Sequence, residues 1–391
     1  MTPADLSATV LHAVRRAVDE HALRAPVPAR VRVERTRPGG RGDYASAVAL
    51  QLAGPAALTA REVAEILRER VAGAPGIGRV EITGPGFLNF TLDASADAAA
   101  HRALMSRVRE EGLRYGHGEA LAGELLQFSH PREVRAAVTA HAVGGLARAQ
   151  GARVAVICDE PPDPDWARLG ITADAGEPPH APRTEIRPVP VGAGGGELLD
   201  RLGPDAARWG LLRPAGHDHA PLGDDLLVQG EDNPLFLVRY AHARAHALTR
   251  GAALLGFTSA PGECLGDTPG QDPGEYLGNT PGQALGDPAS TPGEGAAGTP
   301  GAEAQALLAL LADHPAVLAA AARHRAPDRL ARQLEAVAHA FLDFHDAASP
   351  LPVGDEKPSA AHRSRLALAE AAGTVLAGGL SLLGISAPEH L

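Results

Sequence analysis

Lysine is almost missing from this sequence. Among 391 residues there is one, Lys357, and every other basic residue apart from histidine is arginine. Set among so much Ala, Gly and Pro, this reads as a GC-rich coding bias, and arginine usage by itself carries no functional message. Cysteine is nearly missing too. Cys158 and Cys264 lie far apart and match no metal or redox spacing, which fits a reduced cytosol. Long apolar runs are missing at both ends. The N-terminal "MTPADLSATVLHAVRRAVDEHAL" has acids and arginines throughout and reads as an amphipathic helix rather than a signal peptide. "TVLAGGLSLLGI" is too short to span a bilayer. A soluble, cytoplasmic protein with no membrane partner is the expectation. The formal net charge of -11 argues against a surface coated in basic residues for non-specific nucleic-acid binding. It leaves room for a local basic face.

The length suits two or three domains with a sizeable core. Residues 1–118 read as a small α/β domain: a helix over Leu6–Leu23, an alternating strand "ARVRVERT", a helix from "GDYASAVALQLA", and a helix "TAREVAEILRERVA" opened by a Thr59/Glu62 capping box. A hairpin turning at Gly84-Pro85-Gly86 and a further helix complete it. Residues 119–228 read as a reduced α/β segment, with strands "ELLQFS" and "RVAVICDE" around one helix as a βαβ-like unit. Residues 229–391 read as helices only. They are interrupted at about 259–304 by an imperfect "TPG"/"LGD" repeat that has acids and no Lys or Arg. Such a stretch cannot bury enough apolar surface to offset its ordering entropy, so a flexible insertion is expected. It is either a tolerated loop expansion or a docking segment for a partner. The fold class is therefore α+β and multidomain, with a small N-terminal α/β domain, a reduced α/β remnant and a C-terminal all-α bundle.

Candidate chemistry is sparse. His217, Asp218 and His219 with Asp224 and Asp225 are adjacent in a Pro/Gly-rich loop and lack the helical i,i+4 spacing of a robust metal site, so no metal is expected. "GAGGGE" (Gly192–Glu197) lacks the strand before it and the Lys or Ser/Thr after it that a phosphate loop wants, and reads as a linker. His130 and His141 have no paired nucleophile or carboxylate in the sequence pattern. The stretch "DNPLFLVRYAHARAHAL" (Asp232–Leu248) says more. Asn233 can cap it and Pro234 suits its first turn. At 100° per residue, Arg239, His242, His246 and Arg250 fall on one side, Leu237, Ala241, Ala245 and Leu248 on the other, with Tyr240 and Arg244 between. Taken alone, this is either a solvated basic face or a nucleic-acid contact.

Several stretches in this order carry a resemblance. "GDYASAVALQLA" and "VEITGPGFLNFTL" resemble the N-terminal additional domain of arginyl-tRNA synthetases. "GPDAARWGLLR" resembles the junction between that family's catalytic domain and its bundle. "DNPLFLVRYAHARAHAL" and "AHRSRLALAEAAGTVLAGGLSLLGISAPEHL" resemble the first and last helices of its DALR-type anticodon-binding domain. The resemblance implies domains over 1–118 (N-terminal additional), 119–228 (degenerate catalytic) and 229–391 (anticodon-binding). It also implies tRNA, arginine tRNA in particular, as the partner.

The departures shape the expectation further. Matching the family puts its H-x-G-H tetrad at Val134, Arg135, Ala136 and Ala137, where both histidines are gone. Its lysine-rich ATP loop falls near Thr184–Pro188, where Arg187 is the one cation. Preorganised donors are usually the largest catalytic term, so their loss implies no catalytic residue, no cofactor and no adenylation. Ala47 replaces the family's usual Asn, and Leu391 its frequent final Met. The tRNA-binding candidates that the resemblance implies are Arg239, Tyr240, His242, Arg244, His246, Arg250, Arg363 and Arg365. Arg323, Arg325 and Arg329 could add to them. In the N-terminal domain the candidates are Asp43, Tyr44, Phe87 and Asn89, beside a basic cluster at Arg30, Arg32, Arg35, Arg37 and Arg41. The expected function is tRNA binding without charging, with a protein partner that uses charged tRNA as a further possibility. The alternatives are a scaffold or regulatory protein that has lost tRNA, and a residual arginine–tRNA ligase.

Overall fold

The computed structural model describes residues 3–36, 41–158, 160–161, 163–171, 182–261 and 301–391. Most of the repeat-bearing insertion expected at 259–304 therefore lies outside the described residues. The chain divides into two compact units, one up to Ala103 and one from Leu104 onward.

The first unit holds helix α1 (Pro3–Asp19), strands β1 (Glu34–Arg35) and β2 (Tyr44–Ser46), helices α2 (Val48–Ala56) and α3 (Ala60–Val71), and strands β3 (Ile77–Thr83) and β4 (Phe87–Leu92). Its antiparallel sheet has the order β1-β2-β4-β3. Leu6, Val10 and Val14 of α1 meet Val63 and Leu67 of α3 and Leu88 and Phe90 of β4 in one core. The Thr59/Glu62 capping box is present, with Glu62 N–H donating to Thr59 Oγ1 at 3.2 Å and Thr59 N–H to Glu62 Oε2 at 2.8 Å. The stretch expected to begin a helix at Gly42 instead opens as β2. Gly42 takes a left-handed φ of 75°, with a Cβ there lying 2.7 Å from the Phe90 carbonyl oxygen, and Asp43 N–H bonds that same carbonyl at 2.7 Å. The ladder to β4 claims this segment before helical periodicity can.

Helix α4 (Ala94–Glu111) runs across the division. In the second unit, strand β5 (Leu125–His130), helix α5 (Val134–Ala149) and strand β6 (Arg153–Cys158) form the expected βαβ unit, its strands parallel. Strand β7 (Arg183–Glu185) adds a third parallel member on the far side of β5. Helix α6 (Gly195–Leu212) follows, kinked at Gly203 before Pro204. Then come α7 (Pro234–Leu254), α8 (Ala302–His324), α9 (Pro327–Ala347) and α10 (Ala360–Leu382), so the mixed α/β part gives way to helices only. The α/β part of this unit and the helices that follow share a single apolar cluster running from Met105 to Ile385. Arg208 of α6 is buried within it and donates to the carbonyls of Leu383 (2.8 Å) and Leu169 (2.6 Å); burial pulls its pKa down to about 10. Gly384, at φ 70°, leaves room for that guanidinium, which a Cβ would approach to 2.5 Å.

By length and composition α8 is the one helix among the described residues that could cross a membrane. Here Leu307, Leu308, Leu311 and Leu318 are buried, and α8 packs on α9 as a bundle helix. The helix also buries His314, whose ring stacks on Tyr115 at 5.9 Å and whose Nδ1 has no hydrogen-bond partner among the described residues. Burial pushes the His314 pKa down to about 4. Below pH 6.5 the unfolded chain takes up the proton first, while the folded chain holds this ring neutral. Stability is therefore lost as pH falls from about 6.5 and the loss is complete below about 4, reaching ~3 kcal/mol. His314→Gln should remove this component, so that wild type loses more stability than the variant between pH 7 and 4 in urea titrations. Equal losses would contradict it.

Candidate nucleic-acid interface

Helix α7 is set in place by its cap. Asn233 Oδ1 accepts from Leu235 N–H at 3.1 Å, and its Nδ2 donates to the carbonyls of Leu226 (2.9 Å) and Val228 (2.8 Å). Leu235, Leu237, Val238, Ala241, Ala245 and Leu248 are buried. Along the opposite edge, Phe236 and Tyr240 stack with centroids 5.8 Å apart and an interplanar angle of 17°, and Tyr240 is 40% exposed. Arg239 is half-buried, lies 3.7 Å from Asp205, and has its Nε buried without a hydrogen-bond partner among the described residues. Beside it is a cavity of about 250 Å³ lined by Leu202, Leu227, Val228, Phe236 and Leu391. One turn on, exposed Arg244 donates to His345 Nε2 at 3.3 Å, and Arg250 approaches His390 Nδ1 at 3.4 Å. The edge thus offers two stacked rings and, spread along the helix, three guanidiniums; of these residues Phe236 and Arg239 line the small cavity, and the row suits a base and neighbouring phosphates.

Not every candidate joins this edge. His242 is 3% exposed, its Nδ1 lies 3.1 Å from the Gly373 carbonyl, and it meets His246 edge-on at 4.8 Å. Burial, before any charge effect, pushes its pKa down. This corrects the helical-wheel placement: α7 is covered by α10 as well as α9, and Ala245 against Gly373 lets α10 come close enough to enclose the ring. Half-buried His246 lines a groove with His242 rather than the arginine edge. Arg365 is also turned inward, 9% exposed and bonded to the Ser349 carbonyl. Arg363 is half-buried over the Phe257 ring at 5.8 Å.

In the first unit, Tyr44 is in the core, and Asn89 is buried with its Nδ2 on Thr83 Oγ1 at 2.6 Å. Both are buried, which corrects their surface assignment: Tyr44 lies opposite Phe90 on the core face of the sheet, and Asn89, opposite Ala45 on the other face, is covered beside Thr83. Asp43 is exposed, its carboxylate accepting from Leu92 N–H at 2.8 Å, and Phe87 is exposed at the hairpin. Arg32 pairs with Glu34 at 2.7 Å; the Arg37 position lies outside the described residues.

The tetrad region is filled from within. Glu133 caps α5, its Oε2 accepting from Ala136 N–H at 2.7 Å and its Oε1 from Val191 N–H at 3.1 Å. Arg135 is fully buried and donates to five carbonyls: Leu211 (3.1 Å), Val189 (2.8 Å), Asp218 (2.6 Å), Pro214 (3.3 Å) and Ala215 (3.0 Å). Sequence reading saw the missing histidines but not this substitute, since its partners come from position 189 and the 211–218 stretch, more than 50 residues further along the chain. Arg187 pairs with Glu185 at 2.5 Å. At the start of α6 the Asp165 carboxylate sits where a Cβ on Gly196 would be, 2.5 Å away, so that Gly-rich turn already faces an anion. His217 and Asp218 lie 3.6 Å apart, and the described residues contain no group of three or more metal-ligating side chains.

Comparison with known proteins agrees with this architecture. Residues 5–92 match the profile described as the arginyl tRNA synthetase N terminal domain, and residues 289–391 match the DALR anticodon binding domain. The second match begins after α7, so α7 joins the bundle by its packing. Arginine–tRNA ligases of Frankia alni and Micrococcus luteus are each 28% identical, aligned over all of both chains. The Frankia alignment spans 586 positions, of which this chain can fill at most 391. The Thermus thermophilus arginyl-tRNA synthetase shares the fold at a TM-score of 0.59 and 15% identity, covering all of both chains. The Plasmodium falciparum arginyl-tRNA synthetase does so at 0.63 and 8%, over all of this chain and 99% of its own. The fold and both end domains resemble those of aminoacyl-tRNA synthetases. Within that class the chain is similar to arginyl-tRNA synthetases: its ends match their N-terminal and DALR anticodon binding domains, and it is shorter than the full-length ligases.

Proposed function

We propose that this chain binds tRNA, arginine tRNA in particular, through α7 and the bundle, and does not charge it. The observation that carries the reading is the row of Phe236, Arg239, Tyr240, Arg244 and Arg250 along α7, with Phe236 and Arg239 lining a small cavity, on a protein of net charge -11. The absence of charging is supported by α5, whose N-terminus is capped by the Glu133 carboxylate and sealed by Arg135 where adenylation would need donors free to meet ATP phosphates. Such a protein would act in the cytoplasm and could present charged tRNA to a partner enzyme. The test is a low-salt gel shift comparing tRNA with random RNA of equal length; equal affinity for both would end the reading. A scaffold that kept the fold and lost tRNA is the second reading. It draws on the internal partners already held by Arg239, Arg244 and Arg250.

A further inference from the structure

A second basic feature lies away from α7, where the turn from α8 to α9 meets the start of α5 and the 214–218 loop. A cavity of about 570 Å³ opens there. Arg325, Arg329 and Arg332 line it on one side, and the charge of Arg135 lies beneath it, saturated by carbonyls. Two carboxylates also line it, and neither meets Arg325 or Arg329. Asp328 holds Arg332 at 3.1 Å, and Asp218 lies beside His217. Arg325 and Arg329 have no acidic partner among the described residues and are exposed.

Arg325 is also held in position. It caps the C-terminus of α8 in the left-handed region, at φ 53°, its N–H donating to the Ala322 carbonyl at 3.2 Å. Its guanidinium lies 5.7 Å from the centre of the buried Phe128 ring, which restrains the head group while leaving its N–H donors to solvent. A concave site with two unneutralised guanidiniums, one pre-oriented, in a protein of net charge -11 is a specific place for an anion.

We infer that this cavity binds backbone phosphates of RNA through Arg325 and Arg329, as a contact separate from the α7 edge. The inference rests on the RNA-binding reading above for its ligand. A phosphodiester suits it because guanidinium forks match phosphate oxygens, and the lining holds no Phe, Tyr or Trp.

The test uses the full chain: wild type, the R325E/R329E variant and the R239E/R244E variant, each titrated with tRNA across a salt series, and with inorganic phosphate in a thermal-shift assay. The cavity variant should bind tRNA about 10-fold more weakly at low salt and lower the slope of log affinity against log salt by about 1 to 2. An unchanged affinity and slope in R325E/R329E, with R239E/R244E weakened, overturns this inference and leaves the α7 reading standing. If wild type binds tRNA and random RNA alike, the α7 reading fails, and the cavity is then judged by whether R325E/R329E weakens binding to both. No RNA binding by wild type overturns both. Loss of a phosphate-induced shift in R325E/R329E with RNA affinity unchanged assigns the cavity to a small anion and overturns the RNA assignment.

Discussion

Arg135→Ala should destabilise the second unit by about 4 kcal/mol, the largest stability effect expected of any single change in the remnant. Five carbonyls from the 189, 211, 214, 215 and 218 positions lose their donor at once, and water entering from the neighbouring cavity cannot reproduce one rigid five-donor fork. Burial already pulls the Arg135 pKa down, the cost of taking a cation from water, and the carbonyl cage offsets it. Arg135→Lys should recover only part of the loss, because an ammonium has three donors and no planar fork. Urea unfolding of wild type and both variants reads this directly. A change below about 1 kcal/mol for Arg135→Ala would mean that the cage is not what holds α5 to the 189–218 segment.

Reversing two charges on α7 should have the largest effect on binding. In R239E/R244E, two guanidiniums on the edge become carboxylates facing a polyanion, and tRNA affinity at low salt should fall on the order of 100-fold. Arg239 also pairs with Asp205, so R244E/R250E, at two exposed positions, is the companion that keeps the helix packing. Both variants should keep the wild-type circular dichroism spectrum. Wild-type affinity in both would contradict the α7 reading; a scaffold should keep its protein partners in both variants.

How far the sequence could be read depended on how local the determinant was. The Thr59/Glu62 capping box and the βαβ unit at 125–158 are set by neighbours in sequence, and both are present as read. The strand at Tyr44–Ser46 was missed because its pairing partner is β4, some 45 residues away, and a helix-like composition hides it. A helical wheel assumes one buried face. Helix α7 is enclosed by both α9 and α10, and so His242 goes inside although the wheel puts it with the arginines. At the interface, Arg239, Tyr240, Arg244 and Arg250 were legible as a basic, aromatic edge. The cavity beside them was not, because Leu202 of α6 and Leu391 meet there from positions far apart in sequence. The absence of histidines at 134–137 was visible in the sequence; that Arg135 there ties α5 to the 189 and 211–218 carbonyls required the fold.

Single-turnover charging tests the central claim most directly. The chain, in excess over an arginine-accepting tRNA, is supplied with ATP, magnesium and arginine; bound tRNA is retained on a filter and then resolved on an acid gel. The account predicts tRNA retained in preference to random RNA of the same length and wholly uncharged. Arginyl-tRNA above the level without protein, or no retained tRNA, would contradict it.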